Sequence, residues 1–426
     1  MDNKKILQLL LVIVFAFQSC CNDDTISYEL DVSEKTKSEI AKQNVLDFIG
    51  QMETQTRSGI CRTIESVEPY VMSETRGSLG STQDTLFYVV NFSNNNGFAI
   101  ATADEKGSGV IAFVESGNFN DALNDSVSFL NAYLGNYVAS MEKEDDRHHG
   151  EDRMVPVQRP DDEIGGGGGG GSSRPADKFE ILKPILVTKW GQSPQPFNNF
   201  TPNHYPSGCV MTAISQICSY LETPNQISYN SIGKINLDWN KIKSESKKWS
   251  GDSTSAFSPE IGNQIGHLIR FWGVAFNAKY GSDETTASLE DAVGIMRKNF
   301  NFDVTGVSDY NVNNVIRDLK TGNKIVVMSG YDHYRHVWFF AKKYYSAHVW
   351  VVDGYIDQIK NGVDTKYIHC NWGWCGFLNG YFQSDYLNAD DGVRFDDNGN
   401  SFSYKADLGR QINFRVKLET ATFTKK

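Results

Sequence analysis

The chemistry-bearing pattern in this 426-residue chain is a cysteine that opens a helix and a histidine that opens a strand. Cys209 stands in the run Ser207-Gly208-Cys209-Val210-Met211-Thr212-Ala213. Val210, Ala213, Ile214, Ile217 and Leu221 recur at helical spacing and Pro224 ends the pattern, which predicts a helix over Cys209–Leu221. A thiol attacks carbonyl carbon as the thiolate. A helix N-terminus and a nearby imidazolium both stabilise that anion, lowering a thiol pKa from about 8.5 to about 3.5–7.5. Pro206-Ser207-Gly208 breaks the chain just before the helix, and Gly208 leaves room for a substrate backbone beside the sulfur. The competing reading, a buried structural cysteine, suits Cys218 better because it occupies an apolar position of the same helix.

The partner base comes from Ala347-His348-Val349-Trp350-Val351-Val352-Asp353-Gly354-Tyr355, where the histidine lies 139 residues after Cys209. Its imidazole would take the thiol proton and later return it to the leaving amine. His336 also opens an apolar stretch and competes for this role, but only His348 is followed by Val-Val-Asp-Gly, a strand ending in a turn. His148, His149, His204 and His333 lie in polar stretches, and His267 falls in a predicted helix.

The chain has seven cysteines: 20, 21, 61, 209, 218, 370 and 375. Two belong to the N-terminal apolar region, leaving an odd number and hence a candidate reactive thiol. Cys370 and Cys375 beside His369 raise the question of zinc, but four ligands are not evident. No metal and no cofactor are expected.

The elements around these residues divide the chain. Lys4 and Lys5 precede the apolar run Ile6–Phe17, too short for a permanent bilayer span but of signal-peptide length. Ser19-Cys20 directly afterwards resembles a bacterial lipoprotein processing site with Cys20 as the lipidated residue, and Asp23-Asp24 resembles a Bacteroidota surface-export signal. An ordinary cleaved secretion signal is the alternative. A helix is expected around Ser38–Met52, strands at Thr85–Phe92, Gly97–Thr102 and Gly109–Phe113, and a helix at Phe129–Met141. Glu142–Arg174 is charged, then carries seven consecutive glycines, Gly165–Gly171, so it reads as a flexible linker open to proteolysis. Beyond it, further helices are expected at Pro259–Trp272 and Leu289–Asn299. Strands follow at Lys324–Met328, Val337–Ala341, His348–Val352 and Tyr367–Asn371.

Composition is consistent with packed domains, with 40% hydrophobic residues and 25 Phe, 19 Tyr and 8 Trp. The net charge of −11, without a basic block, argues against nucleic-acid binding and for an exported, extracytoplasmic enzyme. Membrane contact is expected only through the N-terminal lipid.

Four segments together resemble the streptopain family of papain-like bacterial cysteine proteases. They are Trp190-Gly191-Gln192 with Pro196-Phe197-Asn198; Gly208-Cys209-Val210 with Thr212-Ala213; His348 with Val352-Asp353-Gly354; and Asn371-Trp372-Gly373-Trp374. A cysteine-to-histidine spacing of about 130–150 residues suits that order. The Phe87–Thr102 hairpin resembles the family's propeptide. The resemblance implies an α+β chain, a papain-like domain with a helical half and an antiparallel β half preceded by a small α+β propeptide domain. It implies Cys209 as nucleophile, His348 as general base and Gln192 as oxyanion donor. The loop Asn371–Trp374 would flank and orient the histidine, with Trp372 or Trp374 shielding it from water. Thr286 and Ala347 fall where the family contacts substrate, and both differ from the Ser and Gly usual there. Cys375 replaces a usual Gly, and either pairs with Cys370 or lies free near the site.

The expected organisation is a signal peptide over 1–20, a propeptide over 21–141, a linker with a processing site over 142–174 and a peptidase domain over 175–426. Its partners would be protein or peptide substrates and its own propeptide as intramolecular inhibitor. Two rivals stand beside this reading: a cell-wall amidase using the same dyad, and a binding lipoprotein on an inactive protease fold.

Overall fold

The computed structural model describes residues 24–56, 62–70, 87–103, 109–120, 130, 133, 134, 137, 175–249, 257–337, 341–387 and 416–426. The expected signal peptide, Cys20 and the glycine linker lie outside the described residues. No helix among the described residues is long and apolar enough to cross a membrane.

The N-terminal unit begins with helix α1 (Asp24–Thr56) and continues through strands β1 (Ile64–Tyr70), β2 (Phe87–Phe92), β3 (Phe98–Ala101) and β4 (Val110–Val114). Aromatic and β-branched residues fill β2–β4, and every residue of these three strands is buried. Much of the expected helix over 129–141 lies outside the described residues; Leu130, Tyr133, Leu134 and Tyr137 within it are helical.

The C-terminal unit starts with β5 (Lys178–Leu182) and helix α2 (Cys209–Leu221). The short pair β6 (Gln226–Ile227) and β7 (Ile235–Asn236) precedes helices α3 (Trp239–Lys248), α4 (Pro259–Ala275) and α5 (Leu289–Phe300). Side-chain caps fix two of these starts: Asp238 accepts from the Lys241 N–H, and Ser288 from the Asp291 N–H. Then come β8 (Ser308–Asp309), α6 (Val312–Leu319), β9 (Lys324–Val337), β10 (Ala341–Lys360), β11 (Val363–Asn371), β12 (Gly380–Gln383) and β13 (Val416–Thr424).

Ten strands form one antiparallel path in the order β1-β2-β3-β4-β12-β11-β10-β9-β13-β8, with β5 against the far half of β10. The N-terminal unit therefore does not merely touch the C-terminal unit. Its β4 extends the same sheet, with Ala112, Phe113 and Val114 opposite Phe382, Tyr381 and Gly380.

Alternation along β10 sets the two main cores. Val349 and Val351 face the helical half, packing with Ile214, Ile217 and Cys218 of α2 and Ile265 and Trp272 of α4. Trp350 and Val352 point the other way, into a cluster with Trp372 and Phe382 that also contains Phe87, Ile100, Val114 and Tyr133 of the N-terminal unit. A third cluster packs Ala41, Val45 and Phe48 of α1 against β2–β4 and against Ile356, Tyr367 and Tyr381.

β9 and β10 are longer than the sequence pattern indicates, at 14 and 20 residues. The expected strand Val337–Ala341 instead spans the end of β9 and the start of β10, with 338–340 outside the described residues.

Candidate active site

The start of α2 is built around Gly208. Its φ of 90° is one that side-chain-bearing residues avoid, and a Cβ there would lie 2.5 Å from Met211 Cε and 2.8 Å from the Thr285 carbonyl oxygen. Glycine thus lets Thr285 approach the turn, where its hydroxyl also donates to the Pro206 carbonyl at 2.6 Å. Cys209 follows as the first helical residue, half-buried while nearly all the rest of α2 is buried. Burial pushes its thiol pKa up; the backbone N–H groups of Val349, Val210 and Cys209 itself oppose this, and the Glu284 carboxylate adds to it. Contact with Val349 sets the sulfur against β10 at the residue next to His348.

His348 is buried. Its Nε2 lies 2.8 Å from the Trp372 carbonyl oxygen, and since a carbonyl only accepts, Nε2 carries the proton and donates. The neutral ring then has its lone pair on Nδ1. Trp374 stacks on the imidazole at 4.9 Å between centroids, with Trp350 and Trp372 at 6.0 and 6.3 Å. Desolvation pulls the His348 pKa down to about 4, against the opposing effect of the Trp372 hydrogen bond. The two tryptophans of the Asn371–Trp374 loop differ in placement. Trp372 is buried and offers its backbone carbonyl, while half-exposed Trp374 covers the ring.

Asn371 turns away from the histidine. Its Nδ2 donates to the Thr188 carbonyl at 2.8 Å, and its Oδ1 accepts from Gln216 Nε2 at 3.3 Å. Gln192 is half-buried, and its carbonyl accepts from the N–H of Ser207 at 2.8 Å and from the Ser207 hydroxyl at 3.1 Å, which holds it beside the turn before Cys209. Ala347 is exposed and pairs with Tyr331 in the β9–β10 ladder. Thr286 pairs with Lys279 and lines an open groove with Ala287, Arg297 and Val307, a groove whose walls include none of Gln192, Cys209 and His348. Its neighbour Thr285 is the residue that meets the turn before Cys209. The side chain of His336 lies outside the described residues.

Cys370 and Cys375 are both free, and so is Cys218. Cys218 is buried in the helical core, as its apolar position implies. Cys375 adopts a left-handed φ of 58°, the physical reason a glycine suits this position, and its sulfur lies 3.7 Å from the Ser193 carbonyl oxygen.

Sequence reasoning missed several supporting residues. Ser207, Thr212 and Gln216 tie α2 to the Gln192 segment, and the available signal was a stripe of buried polar residues in an otherwise apolar helix. It also missed His369, whose Nδ1 lies 2.6 Å from Asp353 Oδ1 and whose Nε2 lies 3.7 Å from Glu115 Oε1 of the N-terminal unit. Burial would lower the His369 pKa, but Asp353 first and Glu115 second outweigh it and raise it to about 9.

A helix opened by a cysteine and packed on an antiparallel sheet that carries a buried histidine is the arrangement of a papain-like cysteine protease domain. Residues 190–382 match the Peptidase C10 family, and residues 32–139 match the Spi protease inhibitor family. Streptopain of Streptococcus pyogenes is 21% identical over 333 residues, covering 72% of this chain and 76% of that protein. The thiol protease/hemagglutinin PrtT of Porphyromonas gingivalis is 24% identical over 334 residues, covering 72% of this chain and 34% of PrtT. A fragment of Prevotella intermedia prointerpain A has a TM-score of 0.48 at 19% identity, covering 85% of this chain and 98% of the fragment. This protein is a streptopain-like cysteine peptidase carrying an inhibitor-like propeptide domain.

Proposed function

We propose that the chain is a cysteine endopeptidase made as a latent, exported precursor, with Cys209 and His348 as its catalytic dyad. The observation that carries this reading is the Cys209 sulfur at a helix start against Val349, one residue from an imidazole held in the Nε2–H tautomer by Trp372.

In the working enzyme, the Cys209 thiol proton passes to His348 Nδ1 as the sulfur bonds to the scissile carbonyl carbon. The carbonyl π electrons move to oxygen, which accepts a hydrogen bond from the Gln192 amide, the kind of stabilisation worth about 10²–10³ in rate. Collapse of this adduct breaks the C–N bond. The departing amine takes the proton from His348, leaving a thioester on Cys209. Water, deprotonated by His348, then releases the acid and the thiol. Trp374 covers one face of the imidazole, and the Trp372 carbonyl steadies the imidazolium through Nε2–H.

In the precursor, burial raises the thiol and lowers the imidazole, the reverse of what a thiolate–imidazolium pair needs. The propeptide shares a core with Trp350 and Trp372, the residues around His348, so its departure would hydrate the dyad and reverse both shifts. The glycine-rich linker over 142–174 is the proposed cleavage region. Cys20 is the proposed lipid attachment site, which would deliver the enzyme outside the cytoplasm on a membrane surface.

Expression of the wild type beside Cys209→Ala tests the reading. Casein should be hydrolysed by the processed wild type alone, and the linker should stay intact in the purified variant. Equal casein hydrolysis by Cys209→Ala would overturn it.

A further inference from the structure

We propose that Gln216 is a positioning residue for this peptidase, holding the segment that carries Gln192 in register with the nucleophile helix and with the strand that ends in the histidine-binding loop. The inference rests on the reading of Gln192 as oxyanion donor given above.

Gln216 lies seven residues after Cys209 on α2, with Thr212 between them, so the three share one helical face. Its side chain is fully buried, in a helix whose other inward positions are mostly apolar. Both ends of the amide are used. Oε1 accepts from the Trp190 N–H at 2.9 Å, two residues before Gln192, and Nε2 donates to Asn371 Oδ1 at 3.3 Å. Asn371 completes the circuit, because its Nδ2 donates to Thr188 at 2.8 Å and its Oδ1 also accepts from the Gly373 N–H at 3.4 Å. One side-chain pair thus joins the Thr188–Gln192 segment, the Cys209 helix and the Asn371–Gly373 segment, whose middle residue binds His348.

The choice of glutamine is costly unless this registration matters. A buried amide must find partners or lose about 1–3 kcal/mol, whereas Met or Leu would fill the same helical position with no such demand. Other ties hold the segment at other atoms. Thr212 reaches the Gly191 carbonyl at 3.4 Å and Ser207 binds the Gln192 carbonyl. The Trp190 carbonyl accepts from the Cys375 N–H at 3.3 Å and the Trp190 indole N–H donates to Ser246 at 3.1 Å, but the Trp190 backbone N–H is held by Gln216. With the backbone carbonyls of 191 and 192 fixed on one side and the Trp190 N–H on the other, the direction of the Gln192 side chain follows from where Gln216 pins the chain.

A donor misplaced by about 1 Å costs on the order of 10²-fold in rate. Gln216→Met removes both hydrogen bonds at nearly constant volume. Gln216→Glu retains the acceptor for Trp190 and, kept protonated by burial, a donor for Asn371. Both variants, with Gln192→Ala and wild type, are made as the full chain, matured and normalised by active-site titration. Two readouts are compared: kcat and KM on a peptide amide, which needs the oxyanion donor, and the rate of iodoacetamide alkylation of Cys209, which does not.

The expected result for Gln216→Met is a kcat lower by roughly tenfold to hundredfold, with KM and alkylation rate within about twofold of wild type. Gln216→Glu recovers most of the lost kcat. Unchanged kcat in Gln216→Met beside an impaired Gln192→Ala overturns the inference alone. Undiminished kcat in Gln192→Ala removes the underlying reading as well. Alkylation that falls in step with kcat in both Gln216 variants overturns the inference in favour of a general folding role.

Discussion

Glu115 of the N-terminal unit brings a carboxylate oxygen to 3.7 Å from His369 Nε2, on the strand that leads to the Trp372 loop. His369 is buried between this carboxylate and Asp353, with the Tyr381 ring edge-on at 5.0 Å. Glu115 itself is pushed up by burial but held low overall by His369, then Lys189 and Arg62. The pair therefore places one charged group of the propeptide against one buried cation of the protease.

A pH dependence of latency follows from the signs of these shifts. His369 is raised to about 9, so its contribution to folding is complete below its ordinary value of 6.5 and is lost as pH rises through 9. His348 is lowered to about 4, so the unfolded chain binds its proton more readily and stability falls as pH drops from 6.5 towards 4. The Cys209→Ala precursor should melt highest near pH 6.5 and lower on either side. Glu115→Gln in that background should lower Tm at pH 7 by about 2–4 °C, for an ion pair worth ~1 kcal/mol, and the gap should close by pH 10. A gap of equal size at pH 7 and pH 10, measured by calorimetry, would remove the charge pair from the account.

Gly380 should matter to the precursor and not to the mature enzyme. A Cβ there would lie 2.2 Å from the Phe113 carbonyl oxygen and 2.8 Å from Val114 Cα, and these nearest atoms all belong to propeptide backbone. Gly380→Ala should therefore weaken the β4–β12 junction by about 1–3 kcal/mol and speed activation of the full chain. The matured variant should keep kcat/KM within about twofold of wild type. Activation at the wild-type rate, followed with a fluorogenic peptide, would show that the junction gives way without cost.

At Cys375 the outcome depends on size. Its sulfur lies 2.3 Å from where a Gly191 Cβ would be, so the side chain fills the space beneath the Gln192 segment. Cys375→Gly relieves a left-handed φ worth about 1 kcal/mol and should leave kcat near wild type. Cys375→Leu should press on Gly191 and lower kcat by roughly tenfold or more. Steady-state kinetics that find the leucine variant unimpaired would show that the segment tolerates displacement.

What was legible in the sequence was local. The Cys209 helix, its preceding glycine and the apolar strand after His348 each announce themselves within about ten residues, and the helix bounds agree with the periodicity. The long-range pairings left no such trace. Nothing in Val110–Val114 indicates that it extends the sheet of a strand some 270 residues later, because a strand pattern specifies which face is buried but not its neighbour. The ends of β9 and β10 were missed because their far halves are polar, and the backbone ladder continues past the apolar stretch that defined them. His369 read as a residue beside Cys370 and Cys375, while the fold supplies its partners from positions 115 and 353.

The central claim is that Cys209 is the nucleophile and is masked until the propeptide leaves. An epoxide or iodoacetamide active-site probe, with the labelled peptide located by mass spectrometry, tests it most directly in wild type, Cys209→Ala and His348→Ala, before and after maturation. The account predicts labelling of Cys209 in the processed wild type at neutral pH, slow labelling in the precursor where burial raises the thiol pKa, and marked slowing in His348→Ala. Labelling of Cys209→Ala equal to that of wild type, or a processed wild type whose Cys209 stays unlabelled, would contradict it.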